Sequence, residues 1–272
     1  MEPQETHRCN QRHGFSLVEL LVAMAIAGVV MAAVFKIFTT QQDSYLIQEQ
    51  MAEMQQNVRT AKYIMTREIR MAGYDPMNAG AAFGFVSAYG DSINFTMDIV
   101  GEDGAVTVPG DDITYSVSNS NLDRNEGAGN QVVVENVEAV GFAYAFDADN
   151  DGNIDTSANG NIIWAIDSDD TDADKRLDVN LDGNNDGTID ASDDTNGDGL
   201  IDDNDAGTAL ASPVDLEKIR AVKIWILART GREDRAFADT STYVLGNQRV
   251  NANDGSRRQL LTTMVKCRNM AL

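Results

Sequence analysis

Between Asp182 and Asp205 the chain carries two consecutive twelve-residue strings, DGNNDGTIDASD and DTNGDGLIDDND, both of the form D-x-N-x-D-G-x-I-D-x-x-D. Carboxylate and amide oxygens at fixed spacing are the donors that hard cations take, and no nitrogen or sulfur ligand stands among them. A solvated acidic linker accounts for the charge density. It does not account for Gly and Ile at the same places in both copies. A different kind of chemistry attaches to Glu19, the single charge in FSLVELLVAMAIAGVVMAAVF from Phe15 to Phe35. A carboxylate in hydrocarbon costs a few kcal/mol, roughly, and needs a partner.

The two strings resemble the calcium loop of dockerin and EF-hand proteins. That resemblance implies oxygen ligands at loop positions one, three, five and twelve, a turn at the glycine in position six, and a carbonyl at seven. In the first copy these are Asp182, Asn184, Asp186, the Thr188 carbonyl and Asp193, with Asp190 placed to act through water. In the second they are Asp194, Asn196, Asp198, the Leu200 carbonyl and Asp205, with Asp202 in the water-bridging place. A weaker third candidate, DADNDGNID, supplies Asp147, Asp149, Asp151, Asn153 and Asp155, but Ala158 stands where the last carboxylate belongs. Asp replaces the usual Glu at position twelve, and the adjoining copies leave no room for flanking helices. The expectation is calcium held by a string of turns.

The stretch Phe15–Phe35 is long enough, at about 1.5 Å per residue, to cross a hydrocarbon core of about 30 Å. Arg12 and His13 before it favour a cytoplasmic N-terminus, with everything after Lys36 outside. A secretory signal has a shorter apolar region, and a plain signal anchor leaves Glu19 unexplained. The string RHGFSLVELLVAMAIAGVV resembles the type IV prepilin signal: a basic leader ending in Gly14, an aromatic residue, then Glu19 as the fifth residue of the mature chain. The resemblance implies cleavage between Gly14 and Phe15 by a prepilin peptidase and methylation of the Phe15 amine. Glu19 then docks against the Phe15 amine of a neighbouring subunit, since an ion pair in low dielectric is favoured over two lone charges. The alternative for Glu19 is a carboxylate snorkelling at the membrane surface.

Composition narrows the function classes. Net charge is −22, and residues 147–205 hold nineteen Asp against Lys175 and Arg176, so the acidity belongs to one segment. That field repels phosphates and argues against nucleic-acid partners. Both histidines, His7 and His13, and Cys9 fall in the leader, so a mature chain has no imidazole and one thiol, Cys267. A His-based triad, a His-ligated zinc site and an internal disulfide are thereby excluded, and no enzyme is expected.

Behind these sites the sequence predicts one long helix over 15–72, whose first part, 15–35, spans the membrane, and a head over 73–272. At about 1.5 Å per residue that helix would be about 87 Å long. Ile47, Met51, Met54, Val58, Ala61, Met65, Ile69 and Ala72 share one stripe, and Gly73 and Asp75-Pro76 end it. INFT, DITYSVS, QVVVE, VEAVGFAYAF and IRAVKIWILA read as strands. In VEAVGFAYAF the small residues Ala139, Gly141, Ala143 and Ala145 share a face, expected against the helix. The fold class is α+β: the helix packed on an antiparallel sheet, with 147–205 inserted between two strands.

REIRMAGYDP, VENVEAVGFAYAF, LEKIRAVKIWILART and SRRQLLTTMVKCRN resemble the PilW-type minor pilins and the related J-type minor pseudopilins. The resemblance implies a minor pilin that helps prime or cap a type IV pilus. Its partners would be other pilin and minor pilin subunits, the prepilin peptidase and the bacterial inner membrane, followed by a pilus or periplasmic filament. Its cofactor would be Ca2+. A minor pseudopilin of a type II secretion system, or a calcium-dependent adhesin displayed on a pilus, are the alternatives.

Overall fold

A computed structural model describes residues 14–78, 83–168 and 174–271. The chain divides into two units, Met1–Glu49 and Gln50–Leu272. Apart from Gly14, the expected leader lies outside the described residues, as do His7, Cys9 and His13. Helix α1 runs Leu17–Ile69. In the first unit its side chains from Leu17 to Phe38 are exposed on every face. Leu, Met and Ala supply helix propensity there, and no charge interrupts the run between Glu19 and Lys36.

In the second unit the helix buries Met54, Val58, Ala61, Met65 and Ile69 of the stripe that the 4-3 spacing predicts; Met51 is only partly buried, as is Ile47 in the first unit, and Ala72 is buried just beyond the helix end. It stops before Gly73, whose φ of 77° suits glycine and where a Cβ would meet Met270 Sδ at 2.8 Å. The Gly73 N–H turns away to the Thr96 carbonyl at 3.0 Å.

The strands are β1 Phe85–Ala88, β2 Ile93–Thr96, β3 Asp112–Ser118, β4 Asn121–Asn125, β5 Asn130–Glu135, β6 Val137–Phe146, β7 Ala165–Ile166, β8 Arg176–Asn180, β9 Ala209–Asp215, β10 Ile219–Arg229, β11 Thr242–Leu245, β12 Gln248–Asn251 and β13 Arg258–Lys266. They do not form the one sheet expected. Strands β1 to β5 make a five-stranded antiparallel meander, and a second sheet has the order β13-β10-β6-β7-β8-β9, with β11 and β12 paired as a separate hairpin. Short turns join β1 to β2, β3 to β4 and β4 to β5, so that each of these strands folds back on its predecessor without a crossover, while the β2–β3 connection is a longer loop. Asn119 and Ser120, at φ 49° and 59°, supply the two left-handed residues that such a tight turn needs between β3 and β4.

A single core joins both sheets to the second part of α1. Tyr115 and Phe95 from the meander, Phe142 and Tyr144 from β6, and Met65 and Ile69 from α1 are wholly buried in it. Phe85 stands edge-on to Phe95 and to Tyr144, with ring centroids 6.3 and 5.8 Å apart. Glu68 on α1 ties the helix to the meander: it accepts from Tyr115 Oη at 2.5 Å and from Arg124 Nε at 2.9 Å.

The faces of β6 are the reverse of the expectation. A Cβ on Gly141 would meet the Leu245 carbonyl carbon at 2.4 Å and Gly246 N at 2.8 Å, so the small face lies under the β11–β12 turn. Val140, Phe142 and Tyr144 pair with Ile226, Ile224 and Val222 of β10, and two residues beyond Ile226 Ala228 packs against Met54 and Val58. Large residues therefore face the helix side, where more volume must be filled. Small residues let a backbone turn approach.

The acidic segment is also more than a string of turns. It contributes β7 and β8 and, with β9, widens the second sheet beyond β6. Residues 169–173 of the segment lie outside the described residues.

Candidate functional site

Gly14, Phe15 and Ser16 precede α1 in non-helical backbone, and Phe15 is 90% exposed. The bond between Gly14 and Phe15 is thus flanked by exposed residues. Ser16 and Glu19 bond reciprocally: Ser16 N donates to Glu19 Oε2 at 2.9 Å and Glu19 N donates to Ser16 Oγ at 3.3 Å. This is a capping box that satisfies two amide donors at the start of α1, and it is legible in the sequence as S-x-x-E. It gives Glu19 a use within its own chain.

The three candidate loops share one pattern of self-bonding. Their first carboxylates fold back on later amides: Asp147 accepts from Asp151 and Gly152, both at 3.1 Å, and Asp182 from Asp186 at 3.0 Å and Gly187 at 2.9 Å. Asp194 accepts from Gly197 at 2.7 Å and Gly199 at 3.0 Å. Position three accepts from position five: Asp149 from Asp151 at 3.1 Å, Asn184 from Asp186 and Asn196 from Asp198, both at 2.8 Å. Position five accepts from position seven: Asp151 from Asn153 at 2.7 Å, Asp186 from Thr188 at 2.8 Å and Asp198 from Leu200 at 2.9 Å.

The closing carboxylates complete the ring. Asp193 reaches back to the amides of Asn184 and Asp190, and Asp205 to those of Asn196 and Asp202. Asp182, Asp193, Asp194 and Asp205 are buried, whereas Asn184, Asp186, Asn196 and Asp198 are exposed. Ile201 is fully buried beneath the second copy, and Ile189 and Ile154 pack partly buried against the same core. The repeated Ile therefore anchors each loop to the sheet. Asp190 and Asp202 cap the turns after them, accepting from Ser192 at 2.7 Å and Asn204 at 2.8 Å. Asp155 accepts from Ala148 N at 3.1 Å.

Among the described residues, the acidic cluster drawn close enough to hold a metal ion is Asp147, Asp149 and Asp151. One oxygen from each lies within 4.8 Å of the other two. This is the loop expected to be the weaker. Its third position is a carboxylate, whereas Asn184 and Asn196 put a neutral amide oxygen at that place. Burial, with the charges of Asp182 and Asp190 adding to it, pushes the Asp193 carboxyl above the ordinary range.

Basic residues from the sheet stand at the first carboxylates. Arg249 on β12 donates from Nη1 to Asp194 Oδ2 at 2.5 Å, and Arg220 on β10 brings Nε to 3.8 Å from Asp147 Oδ2. Burial pushes the Asp194 carboxyl up, but Arg249 and the amides of Gly197 and Gly199 outweigh it and leave the group below the usual range. Lys223, also on β10, sits over the rings of Trp164 and Trp225 at 5.3 and 4.9 Å. Burial draws its ammonium down while the charge of Asp182 pulls it back up. Nothing in the spacing of the sequence marks Arg220 and Arg249, because they meet the loops only through sheet pairing.

Comparison with known proteins places two stretches. Residues 9–35 match the prokaryotic N-terminal methylation motif, and residues 182–269 match the type IV pilus-assembly protein W family. The pilin-like protein PilA3 of Thermus thermophilus is 36% identical over 69 residues, a stretch that makes up 25% of this chain and 30% of that protein. The chain thus spans less than a third of the length of this curated relative. A solved type IV-like pilin from Thermus thermophilus aligns over 80% of this chain and 97% of its own, at 19% identity and a TM-score of 0.41.

Proposed function

We propose that this chain is a minor pilin that helps prime or cap a type IV pilus. It is made as a precursor, cut between Gly14 and Phe15 by a prepilin peptidase, methylated on Phe15, and held in the inner membrane with its head outside the cytoplasm. The observation that carries this reading is the uniform exposure of apolar side chains from Leu17 to Phe38, in a helix long and apolar enough to cross a membrane. Apolar surface of that extent requires lipid before assembly and other subunits after it. The matches to the methylation motif and to the pilus-assembly family support the same reading.

In the assembled filament Glu19 leaves Ser16 and pairs with the Phe15 amine of a neighbouring subunit. The head binds Ca2+ as a structural brace at the loops beginning at Asp147, Asp182 and Asp194. What supports this is the folding of the first carboxylate onto later amides in all three, with buried closing carboxylates, Asp193 and Asp205, in two of them and exposed oxygens between. Mass spectrometry of the mature protein tests the core of the proposal. A chain beginning at Phe15 with one added methyl group is expected; a mature chain beginning upstream of the apolar stretch, or lacking that stretch, overturns it.

A further inference from the structure

The last turns of α1 meet solvent with a charge opposite to that of the chain. Between Met54 and Ala72 stand Arg59, Lys62, Arg67 and Arg70 against one acid, Glu68, which is held by Tyr115 and Arg124 of the meander. Arg59, Tyr63, Arg67 and Arg70 follow 4-4-3 spacing on the side away from the buried stripe, with Lys62 at their flank, and all five are exposed. Among the described residues, none of the four cations takes part in an ion pair. Tyr63, Arg67 and Arg70 also border a groove of about 570 Å3 whose apolar lining comes from Met71, Met97 and Ile99. Tyr63 is 66% exposed and Ile99 46%.

Unpaired cations around an exposed aromatic ring call for an acidic partner, and tyrosine and arginine are the side chains that most often anchor protein contacts. The chain itself offers such a partner. Residues 147–205 hold nineteen Asp against two basic residues, and Asp186, Asp190, Asp198 and Asp203 are exposed there. That segment lies away from the helix of its own chain: Met54 and Val58 pack on Ala228 of β10 and Leu261 of β13, whereas β7 and β8 lie beyond β6 in the order β13-β10-β6-β7-β8-β9. We propose that the basic face of α1 docks on the acidic segment of a second copy of this chain. Two copies at −22 each repel at long range, but in physiological salt charges more than about 8 Å apart are largely screened, and the groups in contact decide. The two surfaces differ, so the contact runs head to tail and leaves one of each open at the ends of a row. It rests on the charges of the head alone, and stands whether or not the loops hold calcium or the chain enters a pilus.

The test follows the full chain by sedimentation in a nonionic detergent, with a chelator present so that the acidic segment keeps its full charge. The unsubstituted chain is expected to self-associate at about 0.1 M salt and to do so about tenfold more weakly at about 0.5 M, where screening is stronger. Two double variants each reverse one surface: Arg67→Glu with Arg70→Glu, and Asp186→Lys with Asp203→Lys. Alone, each should associate at least about tenfold more weakly than the parent. Mixed, they should associate again, because the intact helix face of one meets the intact acidic segment of the other. Recovery on mixing also shows that both variants are folded. An unsubstituted chain that stays monomeric would leave the face to some other acidic partner, and self-association that salt and both reversals leave unchanged would trace to the apolar part of α1. Either result overturns the proposal, as does a mixture that stays as weak as its components.

Discussion

At the scale of single residues, one arginine holds together parts of the head that are remote in sequence. Arg258, at the start of β13, has a side chain only 2% exposed and bonds Glu138 through Nε at 2.6 Å and Asp254 through Nη1 and Nη2, both at 2.8 Å, with Asp239 at 3.4 Å. The Arg258 hydrogen bonds hold the Asp254 carboxyl well below the usual range. A depressed carboxylate pKa contributes stability that is present above about pH 4, the unfolded value, and is lost as pH falls through the folded value. Arg258→Gln should therefore cost about 1–3 kcal/mol at neutral pH, because it takes the cation from buried Asp239 and from the partly buried Glu138 and Asp254. The gap to the parent should narrow as pH falls from about 5 to about 2; denaturant unfolding across that range measures it, and a constant gap would refute the ion-pair account. Glu19 gives the second residue-level expectation. Glu19→Ala should still be cut and methylated but enter filaments poorly, as read by the subunit content of sheared pili. Normal incorporation would remove its docking role.

At the scale of elements, Gly141 exposes how the second sheet is closed. Leu245 and Gly246 sit where a side chain at 141 would project, within 2.4 to 2.8 Å. Gly141→Ala should displace the β11–β12 hairpin and destabilise the head by about 1–3 kcal/mol, lowering Tm in thermal melts. An unchanged Tm would mean that the hairpin gives way freely.

The elements also separate what the sequence makes legible from what it hides. The buried stripe of α1 and strands β2, β3, β5, β6 and β10 come from local periodicity, because their alternation or 3.6-residue spacing is set by their own residues. Strand β4, NLDRN, is hidden because it is polar and short, and β7 because two residues carry no pattern. Strand β13 lies at the sheet's edge and leaves much of its length exposed, which blurs its alternation. The division into two sheets, and the turning of β6's small face to the hairpin, rest on long-range pairing that local spacing does not record. The candidate loops are legible from their repeated Asp and Gly. The convergence of Asp147, Asp149 and Asp151 depends on how the loop closes, and the missing carboxylate at Ala158 draws attention away from it.

At the scale of the whole molecule, a net charge of −22 is gathered mostly into one segment laid along a sheet. If calcium braces that segment, titrating the chain with Ca2+ should raise Tm by linkage, with about 2.7 kcal/mol of added stability for each filled site at a hundredfold excess over its Kd, and a chelator should reverse it. A Tm indifferent to both returns the segment to a self-bonded acidic surface. Arg220 and Arg249 tie the segment to the sheet whether or not it holds ions. They rise from the sheet at Asp147 and Asp194, two separate stations along the segment. A head without ions would thus still be held at both places. Taking up ions would then ask only for local closure of each loop, without the head having to refold.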